Sequence, residues 1–183
     1  GKDSLESNTT GATNVAIGYL ALDANTTASE NTAIGGHCMT DNTTGQENTA
    51  VGVGALGDNT TGDDNTAMGV NALRLNTTGT QNTAVGYKAG AAVTTGVQNT
   101  FVGENSGIVA STGDRNTVVG RDAGGQLTTG SNNLLLGHDA GKSGSPSGTI
   151  NDESNLVCLG DNNITGLFCA DTSISSSDSR DKT

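Results

Sequence analysis

The 183-residue chain contains 28 glycines, one proline, no tryptophan and only 2% aromatic residues, too little apolar volume for the core of an ordinary globular enzyme. Its formal charge is −11, and its eight lysines and arginines are scattered from Lys2 to Lys182, so there is no electrostatic footprint for nucleic acid. No apolar run approaches the ~18 residues of a membrane span, and Gly1-Lys2-Asp3-Ser4 does not read as a signal peptide but as an internal start. Neither membrane insertion nor a cofactor is expected.

Residues 1–7 are polar and lie outside the repeat, apart from Leu5, which stands 17 residues before Leu22. From Asn8 the pattern is Asn-Thr-Thr-Gly, two variable residues, Asn-Thr-Ala-Val-Gly, two variable residues, then Ala-Leu and a polar link. The second asparagine falls at Asn14, Asn31, Asn48, Asn65, Asn82, Asn99, Asn116 and Asn133, a 17-residue step without an indel. A period this short cannot hold a helical hairpin. It predicts an all-β solenoid, a β-roll or β-helix with one coil per repeat.

Each coil is expected to hold one short strand. Ile17, Ile34, Val51, Met68, Val85, Val102, Val119 and Leu136 form one column and, with Val15, Thr32 and their equivalents two residues earlier, are expected to face the coil interior. Ala16, Ala33, Ala50, Ala67 and Ala84, then Phe101, Val118 and Leu135, have the opposite facing. The alanines are read as an intersubunit surface.

At the same point Leu22, Met39, Leu56 and Leu73 give way to Gly90, Gly107 and Gly124, while Asn25, Asn42, Asn59 and Asn76 give way to Val93, Ala110 and Leu127. The apolar side chain moves three positions. Val93 and Leu127 are therefore expected to refill the space that Leu73 occupies in its own coil.

The asparagines from Asn14 to Asn133 are read as a structural ladder, each amide bonding to its copy one coil away, and Thr10 to Thr129 as a second ladder. Gly11, Gly45, Gly62 and their successors are expected to take turn conformations. After Gly137 the next matching glycine is Gly160, 23 residues on, so six residues are inserted around Pro146. The resulting organisation is regular repeats over 1–141, an inserted loop over 142–153, a degenerate final coil over 154–170 with a short strand at Leu167–Ala170, and a polar tail over 171–183.

Most candidate motifs have a structural reason. Asn8-Thr9-Thr10 and its copies match the glycosylation acceptor, but the turn accounts for them. Cys38 and Cys158 sit in small or apolar columns, and with Cys169 they make an odd number unsuited to a disulfide framework. His37 and His138 read as solvated. Asp63, Asp64, Asp114 and Asp122 lie on the edge without a calcium-repeat consensus, so no metal is expected.

The tail Ser177-Asp178-Ser179-Arg180-Asp181-Lys182 resembles the entry to the self-cleaving intramolecular chaperone domain of endosialidases and phage tail fibres or spikes, which reads Ser-Asp-x-Arg-x-Lys. The Asn-Thr-Ala-Val-Gly repeats resemble those found upstream of such chaperones. By this resemblance the tail leads to a chaperone lying beyond Thr183, Ser177 is the nucleophile, Lys182 the general base, and Ser177–Asp178 the cleavage junction. A lysine with its pKa lowered by burial can take the hydroxyl proton. The activity is autocleavage only, in a precursor carrying the chaperone; otherwise the chain is not expected to be an enzyme.

The repeats are also similar to the Val-Ala-Ile-Gly repeats of trimeric autotransporter adhesin heads. Both resemblances imply a homotrimer. The expectation is a shaft segment of a viral tail fibre, on a virion or other extracellular surface, that positions a tip binding a host-surface glycan or protein receptor. A bacterial adhesin head and a polysaccharide-degrading solenoid are the alternatives. Tyr19-Leu20, Gly36-His37, Val70-Asn71 and Tyr87-Lys88 are expected at the coil edge, where glycans would touch.

Overall fold

The computed structural model describes residues 1–145, 147–161 and 163–165. Nine three-residue strands, β1 (Val15–Ile17), β2 (Thr32–Ile34), β3 (Thr49–Val51), β4 (Thr66–Met68), β5 (Thr83–Val85), β6 (Thr100–Val102), β7 (Thr117–Val119), β8 (Leu134–Leu136) and β9 (Val157–Leu159), form one parallel sheet in sequence order. The register pairs each residue with its copy one repeat later, and the six-residue insertion is absorbed without a slip, since Leu135 pairs with Cys158. The chain is a parallel β-solenoid. The expected strand at Leu167–Ala170, Cys169 and the tail lie outside the described residues.

Hydrogen bonding between coils continues past the strands. Leu22, Met39, Leu56 and Leu73 donate their N–H to the carbonyls of Cys38, Ala55, Ala72 and Ala89, all at 3.0 Å. The polar first residues join this ladder as a partial coil at the register of Leu5: Leu5 donates to Ala21 and Ser7 to Asp23. Corners are made by L-residues in the left-handed region. Glu30, Glu47 and Asp64 (φ 57–63°) and His37, Asn71 and Lys88 (φ 54–58°) are examples. The N–H groups of these corners are paired with the preceding coil, Glu47 donating back to Ser29 and Lys88 back to Val70, whereas Thr49 and the left-handed Leu56 donate forward to Asn65 and Ala72. The strain of roughly 1–2 kcal/mol per such residue is thus offset by keeping the corner N–H groups paired.

The buried side chains differ from the expected facing. Ala33, Ala50, Ala67 and Ala84 are wholly buried in the core of the single chain, and Ala16 packs against that core. The proposed intersubunit role of Ala16, Ala33, Ala50, Ala67 and Ala84 is therefore corrected: the alanines line the coil interior, and the Ile17–Leu136 column points outward. The interior is narrow because Leu22, Met39, Leu56 and Leu73 and the buried asparagines already fill it from the other walls. Only a methyl group fits opposite them.

Both changes in the repeat now have one cause. Where the strand centre becomes Phe101, Val118 and Leu135, the facing leucine becomes glycine. A Cβ on Gly90 would lie 2.7 Å from Phe101 Cδ2, one on Gly107 would overlap the same ring, and one on Gly124 would lie 3.0 Å from Val118 Cγ1. Val93, Leu127 and Ile150 are buried in the same core, but the volume left by the leucines is taken first by the enlarged strand residue. The exchange conserves core volume within one chain.

The Gly11 column also has a different reason from the one expected. Gly45, Gly62 and Gly79 do not have positive φ. A Cβ on Gly45 would instead press on Asn42 Oδ1 at 2.5 Å and Gly62 O at 2.5 Å, so these glycines allow coils to stack closely. Positive φ occurs at the strand glycines, Gly18 to Gly120, at 129–144°.

Candidate functional surfaces

A uniform surface among the described residues is the outward face of the sheet. Val15, Ile17, Ile34, Met68, Val85, Val119, Val157 and Leu159 are 36–67% exposed on it. Thr32, Thr49, Thr66, Thr83, Thr100 and Thr117 flank this column, and neither column contains a charged residue. With ~4.8 Å between strands, eight steps give a stripe about 38 Å long. At a width of about 10 Å it covers roughly 400 Å², within the range of about 300–600 Å² for the largest apolar patch of a typical monomer, a patch that is often functional.

The asparagines are interior fittings rather than binding groups. Asn82 is fully buried. Its N–H and Nδ2 donate to Asn65 Oδ1 at 3.0 and 3.2 Å, Nδ2 also donates to Gly96 O at 2.8 Å, and its Oδ1 accepts the N–H and Nδ2 of Asn99. The same pattern recurs at Asn48, Asn65, Asn99 and Asn116, while Asn14 and Asn133 are its partial ends and Asn31 donates its side chain within its own and the next coil. A second buried ladder runs from Asn25 through Asn42 and Asn59 to Asn76. It ends where Val93 replaces the next asparagine, leaving Asn76 Oδ1 buried without a partner. The threonine ladder sits one residue earlier than expected: Thr43, Thr60 and Thr77 donate their hydroxyls to the next coil at 2.9–3.0 Å, whereas the exposed Thr44, Thr61 and Thr78 do not carry it.

Cys38 is buried, its thiol donating to Ala50 O at 3.3 Å, and desolvation by burial pushes it up to about 12. Such a thiol is inert as a nucleophile. Cys158 is also buried and receives a bond from Ser147 Oγ at 3.1 Å. Asp63 and Asp114, read as edge carboxylates, accept the Gln46 and Val97 N–H groups at 2.7 and 2.9 Å, which commits them to turns.

The sequence reading left His138 without a partner. Its Nδ1 lies 3.2 Å from Asp139 and 3.6 Å from Asp161, while Lys142 Nζ lies 2.8 Å from Asp139 and 3.8 Å from Asp122. Bonds from the Asn163 N–H and amide, with a smaller effect of His138, hold the Asp161 carboxyl below its ordinary range. Ligand atoms of Asp122, His138 and Asp139 lie within 4.8 Å of one another. The Lys142 ammonium supplies positive charge beside Asp122 and Asp139, and His138 stands between Asp139 and Asp161, so the cluster links Asp161, after β9, to the preceding coils. The sequence singles out Asp122 and His138 separately but not their meeting with Asp139, Lys142 and Asp161, because Asp161 reaches His138 by way of the 23-residue coil.

Ser177, Asp178 and Lys182 lie outside the described residues. Among the described residues no helix is long and apolar enough to cross a membrane. Comparisons with protein families, curated proteins and solved structures find no match for this chain.

Proposed function

We propose that the chain is a shaft segment of a homotrimeric viral tail fibre or related surface fibre, spacing a receptor-binding tip from its anchor. The observation that carries this reading is the uncharged apolar stripe running the length of a protein with net charge −11. Burying the stripe against copies of itself removes from water an apolar surface that folding leaves exposed, and does so without desolvating a charge. Three sheets facing a common axis achieve this for every chain alike. The side-chain ladders suit a mechanical role, since each coil is bonded to the next through backbone, asparagine and threonine at once. The trimer and the viral setting draw on the resemblance of the repeats and of Ser177–Lys182; in a precursor continuing into a chaperone, Ser177→Ala abolishes cleavage at the Ser177–Asp178 bond. A bacterial adhesin head would assemble in the same way and differ in what its surface touches.

Sedimentation equilibrium tests the assembly. The expected mass is three times the 18.1 kDa of the chain. A single-chain mass at every loading concentration overturns the proposal.

A further inference from the structure

Every coil repeats the same corner, so a coil that departs from it twice stands out. In the coil of β3, both outward positions beyond the strand glycine are glycine, Gly54 and Gly57. The backbone conformation calls for glycine at neither, although a Cβ on Gly54 would meet Asn71 Oδ1 at 2.5 Å, so glycine there leaves room for that amide. Leu20, His37, Asn71, Lys88, Asn105, Asp122 and Asp139 take the Gly54 conformation at φ 54–58°. Gly57 does not have positive φ, and a Cβ on it would come no closer than 3.3 Å to another atom. The column is variable, with Thr40, Arg74 and Ile108 in other coils and a second glycine at Gly125; only the coil of β3 combines it with a glycine at the Gly54 position.

The missing side chains open a hollow of about 390 Å³ bordered by His37, Asp41, Val53, Asp58, Asn71 and Arg74. A second hollow of about 400 Å³ shares Asn71 and Arg74 and continues past Leu75, Ala91 and Ile108. Together they form a groove along the rod. From Thr40 to Ile108 it passes four coil steps, or about 19 Å. It is bordered mainly by the columns beyond the strand glycine, away from the two columns of the apolar stripe, so assembly through the stripe leaves it open.

We propose that this groove binds a neutral glycan chain lying along the rod axis. Polar groups with fixed planes gather at its centre: the Asn71 amide, the Arg74 guanidinium and the Asp58 carboxylate. Arg74 Nη2 is only loosely paired with Asp58, at 3.5 Å, and both remain substantially exposed, leaving donors and acceptors for hydroxyl groups. Apolar walls alternate with them. Val53 and Leu75 are 53% and 40% exposed, and Tyr19 supports His37 edge-on at 5.3 Å between ring centroids. Polar side chains dominate the hollow beside β3, and the apolar surfaces of Leu75, Ala91 and Ile108 lie further along the groove, a combination that offers hydrogen bonds to sugar hydroxyls and contact to the faces of sugar rings. Asp41, Asp58 and the overall charge of −11 disfavour an acidic polysaccharide.

The inference rests on the shaft reading only in requiring this side to face solvent. Its test is titration calorimetry of the full chain with maltohexaose, cellohexaose and N-acetylchitohexaose, with an oligomer of sialic acid as the acidic comparison. At least one neutral oligosaccharide binds, and Arg74→Ala and Gly57→Leu, which fills the hollow from a position with room for it, each weaken binding about tenfold or more without changing the sedimented mass. Absence of binding by all three neutral probes overturns the proposal, as does binding that both variants leave intact, or binding of the acidic oligomer alone. A single-chain mass with groove-dependent binding would remove the trimeric shaft and keep the site.

Discussion

At the residue scale, the repeated asparagine shows why a polar side chain can be buried once per coil. Asn82 satisfies its own amide and also supplies the acceptor for the Asn99 N–H. Asn82→Ala leaves that N–H and the Gly96 carbonyl without their side-chain partners inside the protein, and unpaired buried groups cost about 1–3 kcal/mol each. We predict a loss of at least about 2 kcal/mol in chemical denaturation. Cys38 gives a pH test. Burial pushes its folded pKa up to about 12, from an ordinary thiol value of 9.0, so its contribution to stability is fully present below pH 9 and falls as pH rises from 9 towards 12. Cys38→Ala should flatten that part of the stability profile, and the wild-type thiol should react with a disulfide reagent only on unfolding.

At the scale of the coil, the period and strand positions are legible in the sequence because every repeated residue returns to the same place, but the facing of the strand is not. Thr-Ala-Val alternates equally well in either sense, and placing the larger residues inside is the usual inference for a half-buried strand. The interior here is too thin for that. Its volume is shared by Ala50 with Leu56 in one half of the rod and by Phe101 with Gly107 in the other. Phe101→Ala should therefore cost about 3–5 kcal/mol. Ala67→Phe should overpack its coil by about 1–3 kcal/mol or more, and adding Leu73→Gly should recover part of that loss. Additive melting shifts in this double-mutant cycle would contradict the shared-volume account. The groove is half legible: the pairing of Gly54 with Gly57 in one coil is in plain view in the sequence, but that they open onto one hollow depends on how neighbouring coils stack. The His138 network was hidden by the insertion, which separates Asp139 from Asp161 in sequence while the register of β8 and β9 brings them together.

At the scale of the molecule, the fold and the proposed assembly use different residues of each strand. The central residue of each strand builds the single-chain core, and its two neighbours form the outward stripe. A charge placed at the centre should unfold the chain, whereas a charge one residue later should leave the coil intact and oppose association by desolvation. Ala84 and Val85 are adjacent in β5, buried and 37% exposed respectively. The decisive measurement is sedimentation equilibrium of Val85→Lys, on protein whose circular dichroism matches the wild type. The account predicts a folded single chain where the wild type is a trimer; a Val85→Lys protein that keeps the trimeric mass would contradict assembly through the stripe.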